Sequence, residues 1–297
     1  MNEYRTLVDT DTLEQNLDNP SWIVLDGRFD LMDTESGRNA YLESHIPGAQ
    51  YVHLDEQLSS AITPDSGRHP LPRVEELAGW FSGIGINPGT QVVVYDSMGG
   101  AMAARCWWLL NMLGHTRVAV LDGGFPKWKQ AGKRVSSSVG VSRATSVGAP
   151  TSIATESSGI QPYFSWNSDG VVNVDEVLEN LDTEAFLLID ARSSERFRGE
   201  QEPIDPVAGH VPKALNRALQ LNLQPDGCFK PATQLRQEWH LLLGAREPQQ
   251  VVHMCGSGVT ACHNQLSMER AGLTGSRIYA GSWSEWIRDF QRPIATV

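Results

Sequence analysis

The sequence predicts an α/β protein with two tandem domains, each a mostly parallel sheet flanked by helices. The chain has 297 residues, a length that is comfortable for two domains. Four short segments recur in the same order in both halves, which indicates a tandem duplication. In each half, apolar runs of strand length alternate with longer stretches of helical period, as in parallel sheets whose strands are joined by helices.

The recurring segments lie at a nearly constant spacing. They comprise an apolar run that ends in aspartate, a His-Ile/Val-Pro element, a valine-rich run and a tryptophan-containing segment. The four pairs are 22–28 with 186–192, 45–49 with 210–214, 92–96 with 251–255, and 121–128 with 279–286. The stretch 101–113 has a helical pattern, and its large apolar residues are expected to form one broad face.

The segment between the two copies is rich in serine, threonine, glycine and alanine and has almost no large apolar residues. This composition is typical of a linker. We therefore expect a first domain at 5–136, a linker at 137–165 and a second domain at 166–297. Ligand sites of parallel α/β sheets lie where strands end and helices begin, so the chemistry is expected at those positions.

The overall composition restricts the class of function. Apolar residues make up 40% and charged residues 20%, as in ordinary globular proteins. The net charge of -11 favours neither a nucleic-acid partner nor an anionic membrane. The first residues lack the features of a signal peptide, and the longest apolar stretch is too short to span a bilayer. The four cysteines are too few for a disulfide scaffold, so we expect a reducing, cytoplasmic location.

One cysteine is followed by a glycine-rich loop at a predicted strand end. Cys255 comes directly after the apolar run 251–254, and a helical pattern begins at 261. Glycines let successive N–H groups turn inward, and the following helix adds its positive end, so the loop is predicted to bind an anion. A thiolate at its base is predicted to have a lowered pKa and to act as a nucleophile. The alternative is a buried packing cysteine. The loop residues are Gly256, Ser257, Gly258, Val259 and Thr260.

The other cysteines have simpler interpretations. Cys106 lies in an apolar helical stretch and is expected in the core, Cys262 continues the helix after the loop, and Cys228 lies in a turn. Their spacing does not match the close ligand pairs of a structural zinc site. We therefore expect no zinc site.

The duplicated segments and the closing sequence Gly-Ser-Trp-Ser-Glu-Trp at 281–286 resemble the rhodanese superfamily over nearly the whole chain. The loop Cys-Gly-Ser-Gly-Val-Thr-Ala at 255–261 resembles the 3-mercaptopyruvate sulfurtransferase branch, whereas the thiosulfate branch has Arg-Lys after the cysteine. The resemblance implies two rhodanese-like domains, the second of them catalytic, with the active site at their interface. Asp96 occupies the position of Cys255 in the first copy, and a carboxylate cannot become a persulfide.

The resemblance also implies roles for residues outside the loop. Arg196, in Arg-Phe-Arg-Gly at 196–199, corresponds to an arginine that binds the substrate carboxylate or carbonyl, and a guanidinium suits a carboxylate. Ser257, His69 and Asp55 correspond to a Ser-His-Asp relay that moves a proton. The simpler alternatives are a surface arginine and an ordinary loop histidine. The branch has a second arginine nine positions after the first, and here the segment 202–206 supplies none.

The resemblance implies a sulfurtransferase that passes a sulfane sulfur from 3-mercaptopyruvate to a thiol, to cyanide or to a thioredoxin-like acceptor. The donor is a small anion, and the sulfur is carried as a persulfide on Cys255. This cycle requires neither a metal nor an organic cofactor. Two alternatives stay open: a thiosulfate:cyanide sulfurtransferase that uses the same cysteine, and a non-enzymatic sulfur-relay or binding module. A cysteine phosphatase is disfavoured, because its phosphate-clamping arginine would fall at Ala261.

Overall fold

The computed structural model describes residues 3–137 and 163–297, which form two five-stranded sheets. Every pairing between their strands is parallel. Helices flank each sheet, so the expected α/β fold with two tandem domains is confirmed. Most of the predicted linker at 137–165 lies outside the described residues, and the domain bounds 5–136 and 166–297 stay predictions.

The first sheet is built around a valine-rich central strand. Its strands are β1 (Leu7–Val8), β2 (Trp22–Asp26), β3 (Gln50–Tyr51), β4 (Gln91–Tyr95) and β5 (Val118–Leu121). Its helices are α1 (Thr10–Gln15), α2 (Ser36–Glu43), α3 (Val74–Gly83), α4 (Ala103–Met112) and α5 (Gly124–Gln130). The strand order is β1-β5-β4-β2-β3. Alternate residues of β4 enter two separate apolar clusters, because both faces of the sheet are covered.

The second sheet repeats this arrangement. Its strands are β6 (Val171–Val172), β7 (Leu187–Asp190), β8 (Leu215–Asn216), β9 (Val251–Met254) and β10 (Arg277–Tyr279). Its α-helices are α6 (Val174–Thr183), α7 (Ser194–Arg198), α8 (Ala232–Leu243), α9 (Ala261–Arg270) and α10 (Ser282–Trp286), and 3-10 helices lie at Ser168–Gly170, Leu219–Asn222 and Pro248–Gln250. The order β6-β10-β9-β7-β8 matches that of the first sheet strand for strand, as a tandem duplication requires.

Helices α4 and α9 pack against each other between the two sheets. The sequence predicts one apolar face for 101–113, but every residue of α4 except Asn111 is buried, because α9 covers the side that would otherwise meet solvent. A helix that is buried on all sides belongs in an interior. One apolar cluster contains residues of both domains, for example Trp108 and Leu266, so the two sheets share a core.

The repeated His-Ile/Val-Pro histidines have the same surroundings in both domains. His45 Nδ1 lies 2.7 Å from the carbonyl oxygen of Tyr41, and His210 Nδ1 lies 2.7 Å from that of Phe197. Each imidazole also stacks on the ring of that aromatic residue. These contacts tie a loop to a helix in each domain, so both histidines have a structural role.

Candidate active site between the domains

The candidate nucleophile lies at the centre of the second sheet. Cys255 directly follows β9, the middle strand, and only 2% of its surface is exposed. Its N–H donates to Ser282 Oγ over 3.1 Å, and its carbonyl oxygen accepts from the N–H of Trp283 over 3.1 Å. Ser282 has φ 54, a left-handed value that is uncommon outside glycine and that must be held by surrounding contacts. The closing segment 281–286 therefore fixes the backbone of the cysteine.

The loop after Cys255 turns tightly over the same closing segment. The carbonyl oxygen of Gly256 accepts from the N–H of Ser284 over 2.8 Å. Gly258 has φ 76, and a Cβ there would lie 2.1 Å from the carbonyl oxygen of Ala280, so this position requires glycine. α9 begins directly after the loop, and its N-terminus carries a partial positive charge. The loop therefore has both the turn and the helix that an anion-binding loop needs.

Ser257, His69 and Asp55 lie together, although they come from different domains. His69 Nδ1 is 2.7 Å from Ser257 Oγ, and His69 Nε2 is 3.3 Å from Asp55 Oδ1. Burial lowers the pKa of His69, and the hydrogen bond with Asp55 opposes this effect. The same hydrogen bond lowers the pKa of Asp55. Near pH 7 the three groups are therefore a neutral imidazole between a hydroxyl and a carboxylate.

The first-domain loop that carries His69 is docked on the second domain. Gly67 approaches so closely that a Cβ there would lie 2.6 Å from the carbonyl oxygen of Gly281. The next N–H, that of Arg68, donates to Ser284 Oγ over 3.0 Å. These contacts hold the loop against the segment that also fixes the cysteine. The position of the imidazole relative to the cysteine loop is thereby set by backbone contacts.

A pocket of about 200 Å³ opens beside Cys255. Residues 255–257, 259 and 260 form one wall, and residues 191–193 with Arg196, which follow β7, form another. Leu31 and Arg68 of the first domain complete much of the lining. The pocket therefore lies at the domain interface, where the resemblance places the active site.

Two guanidinium groups lie over the loop beside Cys255. A Cβ placed on Gly256 would lie 2.9 Å from Arg68 Nη2 and 3.5 Å from Arg196 Nη2. Arg196 belongs to α7, a helix capped by Ser193, whose side chain accepts the N–H of Arg196. The sequence predicts Arg196 at this site, whereas it gives no direct sign of Arg68, which comes from the other domain.

Arg68 gives the pocket a second arginine, which the segment 202–206 does not supply. Asp205 lies nine positions after Arg196, where the branch has that arginine, and only 3% of its side chain is exposed. Its carboxylate lies 3.2 Å from Arg196 Nη2 and also pairs with Arg68. A buried carboxylate requires a cationic partner. An acidic residue at 205 therefore implies a cationic partner, and the structure shows that Arg68 supplies a second one from the first domain.

The charged groups around the pocket are balanced. Glu202 accepts from Arg196 over 2.7 Å and lies 3.3 Å from Arg192, which also pairs with Asp190 over 2.6 Å. The arginines are Arg68, Arg192 and Arg196, and the carboxylates are Asp190, Glu202 and Asp205. Burial lowers the pKa of Arg68, and the charge of a Cys255 thiolate opposes this effect. The formal charges of these six groups cancel, so a thiolate makes the pocket negative overall.

The chain is similar to known proteins over most of its length. Rhodanese-like domains match residues 9–131 and 173–289. The chain belongs to the rhodanese family. A probable 3-mercaptopyruvate sulfurtransferase of Pseudomonas aeruginosa is 42% identical to this chain, and the match covers 98% of each chain. A thiosulfate sulfurtransferase of Rattus norvegicus is 32% identical, and the match covers 96% of this chain and 93% of the rat protein. The structure of a 3-mercaptopyruvate sulfurtransferase from Leishmania major has a TM-score of 0.79 at 29% identity, covering 98% of this chain and 76% of that one.

These comparisons confirm three expectations from the sequence: membership of the rhodanese family, similarity to its 3-mercaptopyruvate sulfurtransferase branch, and a sulfurtransferase activity. The roles of Cys255, Arg196 and the Ser257-His69-Asp55 trio are predictions that rest on chemistry and geometry.

The first rhodanese-like domain fills its own loop with a carboxylate. Asp96 Oδ1 accepts from the N–H groups of Met98 over 2.8 Å and Gly100 over 2.9 Å. Asp96 Oδ2 accepts from those of Met102 over 2.7 Å and Ala103 over 2.9 Å. Four backbone N–H groups thus converge on one anion at the end of the central strand. A loop of this geometry binds a negatively charged group, but the loop of the first domain contains no thiol.

Arg105 of α4 is a further residue of the site that sequence analysis overlooks. It is fully buried, and it donates to the carbonyl oxygens of Gly258 over 3.1 Å and His69 over 3.3 Å. Burial lowers the pKa of Arg105, and no carboxylate within the described part of the chain lies within ion-pair distance of it. Arg105 joins the cysteine loop to the histidine segment across the domain boundary. Its apolar sequence neighbours conceal this contact, which exists only in the folded structure.

The remaining cysteines are free and are poorly suited to nucleophilic chemistry. Cys106 and Cys262 are buried, and burial raises the pKa of both thiols, that of Cys262 to about 12. Cys228 is half-buried, and burial raises the pKa of its thiol to about 11. At neutral pH these three groups are thiols, which attack sulfur far more slowly than thiolates.

One group of possible metal ligands lies outside the lining of the pocket. Glu35, His53 and Glu56 have ligand atoms within 4.8 Å of one another. Arg38 already contacts both carboxylates, at 3.2 Å and 2.5 Å. A cation would therefore compete with an existing guanidinium, and this group does not bear on the site around Cys255.

Proposed function

We propose that this protein transfers sulfur from 3-mercaptopyruvate to a thiol or cyanide acceptor through a persulfide on Cys255. Sulfurtransferase is the activity named for its relatives of both donor classes. The position of Cys255 supports the proposal, because it is the one thiol of the described residues that lines the pocket between the domains. Of the two relatives reported, the one named for 3-mercaptopyruvate is the more similar.

The observation that carries the proposal is that a loop joins the central strand to the next helix at the equivalent place in both domains. In the first domain, four N–H groups surround the carboxylate of Asp96. The equivalent loop of the second domain follows Cys255, so its N–H groups are suited to bind a persulfide anion in the equivalent place. N–H groups that are already in position stabilise charge as it develops, without reorganisation during the reaction.

In the first half-reaction, the Cys255 thiolate attacks the sulfur of 3-mercaptopyruvate, and the carbon–sulfur bond of the donor breaks. The electron pair of that bond stays on carbon, which gives the enolate of pyruvate. The thiol proton of the donor passes through Ser257 to the neutral His69 and then to the enolate carbon, so pyruvate leaves. Asp55 stabilises His69 while it is protonated. Cys255 is left as a persulfide anion.

The carboxylate of the donor binds Arg196 and Arg68 in this proposal. Both guanidinium groups lie over Gly256, next to the nucleophile. Asp205 pairs with both and cancels part of their charge. A pocket that holds a carboxylate between its two anchors repels a dianion more strongly than a monoanion. Compared with a pocket that lacks this carboxylate, the arrangement therefore disfavours thiosulfate more than 3-mercaptopyruvate.

In the second half-reaction, an acceptor removes the outer sulfur. A thiolate or cyanide attacks that sulfur, the sulfur–sulfur bond breaks, and Cys255 leaves as a thiolate. A small thiol or the exposed cysteine of a thioredoxin-like protein fits this chemistry.

The partners and location expected from the composition remain proposals. We propose a cytoplasmic protein that binds neither nucleic acid nor membranes, on the basis of its net negative charge and few cysteines. Within residues 3–137 and 163–297, no helix has the length and apolar character that crossing a bilayer requires.

Steady-state turnover of 3-mercaptopyruvate and thiosulfate, measured side by side, tests the proposal. Wild type should prefer 3-mercaptopyruvate. Cys255→Ser should lose both activities, and the control Cys228→Ser, whose thiol lies outside the pocket, should retain them. Activity that is unchanged in Cys255→Ser would contradict the proposal.

A second candidate function is thiosulfate:cyanide sulfurtransferase, which the name of the rat relative favours. A preference of wild type for thiosulfate would support it. Transfer of sulfur to proteins without turnover of either small donor would instead support a sulfur-relay module.

A further inference from the structure

A second cavity, of about 520 Å³, lies between the domains at the other end of the sheets. Thr116, shortly before β5, and Arg277, at the start of β10, line it, so it lies at the amino ends of these strands. Cys255 lies at the carboxyl end of its strand. Helices α4 and α9 contribute further lining from both domains. The volume falls within the range of small-molecule sites.

Buried polar atoms without partners are concentrated around this cavity. Trp108 and Gln265 are only 1% and 9% exposed, yet neither Trp108 Nε1 nor Gln265 Oε1 has a hydrogen-bond partner among the described residues. Arg277 Nε is also buried without a partner there. All three residues line the cavity. Because buried donors and acceptors are nearly always paired in folded proteins, these three unpaired atoms mark the wall of the cavity as unusually polar.

A cation and an acid that lack ion-pair partners within the described residues line the same space. The guanidinium carbon of Arg277 lies 5.4 Å from the ring centroid of Phe186, a contact that leaves its N–H groups available. Glu269 accepts only one long hydrogen bond, 3.4 Å from the N–H of Gly275. Burial raises the pKa of Glu269, and an ammonium group beside it would stabilise its charged form.

We propose that this cavity binds a free α-amino acid as a zwitterion. The carboxylate of the ligand meets the guanidinium of Arg277. The ammonium group meets the carboxylate of Glu269. The unpaired cation and the unpaired acid of the cavity are thereby each matched by a group of opposite charge on one small molecule.

Other lining residues fit the same class of ligand. Arg5 and Asp169 are opposite in sign, so the cavity suits a molecule with no net charge. Trp107 and Met112 supply apolar surface for the side chain of the amino acid. Because the cavity lies at the far end of α4 and α9, an occupant leaves the pocket beside Cys255 accessible.

Thermal unfolding with each common amino acid in turn, followed by calorimetric titration of those that stabilise, tests this proposal. At least one amino acid at about 10 mM should raise the Tm, because a ligand that binds only the folded state stabilises it. Propionate and propylamine at the same concentration should not, since each carries only one of the two charges. Glu269→Gln and Arg277→Gln should each weaken binding roughly tenfold or more, as expected for loss of a charged hydrogen bond.

The control Arg270→Gln changes an exposed residue of α9 that does not line the cavity, and it should leave the affinity unchanged. Cys255→Ser should also bind normally, so this test succeeds or fails independently of the sulfurtransferase proposal. Circular dichroism establishes that each variant is folded, and the screen on wild type remains decisive if a variant is not.

Three results would overturn the proposal. The first is the absence of stabilisation by any amino acid, which would mean that the cavity holds water only. The second is binding that survives both Glu269→Gln and Arg277→Gln. The third is equal stabilisation by propionate or propylamine alone, which would identify a site for a simple ion.

Discussion

Replacing Asp205 by asparagine removes one buried negative charge from the donor pocket while keeping the shape of the side chain. Asp205 lies 3.2 Å from Arg196 Nη2, so a donor anion on the far side of that guanidinium would be roughly 7 Å away. At an effective dielectric constant between that of a protein surface and water, unit charges at this separation repel by on the order of 1 kcal/mol. The variant should therefore lower the KM for monoanionic 3-mercaptopyruvate roughly fivefold.

Thiosulfate carries two charges, so the same substitution should strengthen the binding of thiosulfate by about 2 kcal/mol, or roughly 30-fold. The ratio of kcat/KM for thiosulfate to that for 3-mercaptopyruvate should consequently rise about fivefold. Both donors are assayed in parallel with wild type, Asp205→Asn and a control, Asp182→Asn, which alters an exposed acid in α6. A ratio that is unchanged or falls would refute the idea that Asp205 selects the donor by charge.

Three further predictions concern the loop and the relay. Asp55→Asn should move the acid limb of the pH profile for 3-mercaptopyruvate turnover to lower pH. The reason is that Asp55 raises the pKa of His69, whereas burial lowers it. An acid limb that moves to higher pH would contradict the relay. Arg105→Leu should reduce the free energy of unfolding by about 3 kcal/mol, because three buried carbonyl oxygens lose their donor. An unchanged denaturant midpoint would be inconsistent with this. Gly258→Ala should lower the free energy of unfolding by clearly more than Gly244→Ala, for which we expect a loss of about 1 kcal/mol. Both glycines have positive φ, but only at Gly258 would an added Cβ lie 2.1 Å from a carbonyl oxygen. Equal losses of stability in the two variants would argue against that contact.

The architecture could be predicted because its signals are local and occur twice. Runs such as 92–96 and 251–255 have the length and composition of buried parallel strands, and their repetition fixes the order of elements in both domains. The burial of α4 on all sides could not be predicted in the same way. It depends on α9, a helix of the other domain, and no periodicity within 101–113 records that partner.

The site shows the same division between local and long-range information. Cys255 and its glycines are visible in the sequence because the turn needs them within a few residues, as the close contact at Gly258 shows. Arg68 and Arg105 reach the loop only through the packing of the domains, so their sequence surroundings give no such sign. Asp205 is an intermediate case, since a buried acid implies a cation without saying where in the chain it lies.

The most direct test of the central claim is to locate the transferred sulfur. Protein treated with 3-mercaptopyruvate in the absence of an acceptor is alkylated, digested and analysed by mass spectrometry. We predict one added sulfur atom on the peptide that contains Cys255, removable by dithiothreitol, retained in Cys228→Ser and lost in Cys255→Ser. Added sulfur on another cysteine, or none on a protein that still turns over 3-mercaptopyruvate, would contradict the assignment of Cys255 as the sulfur carrier.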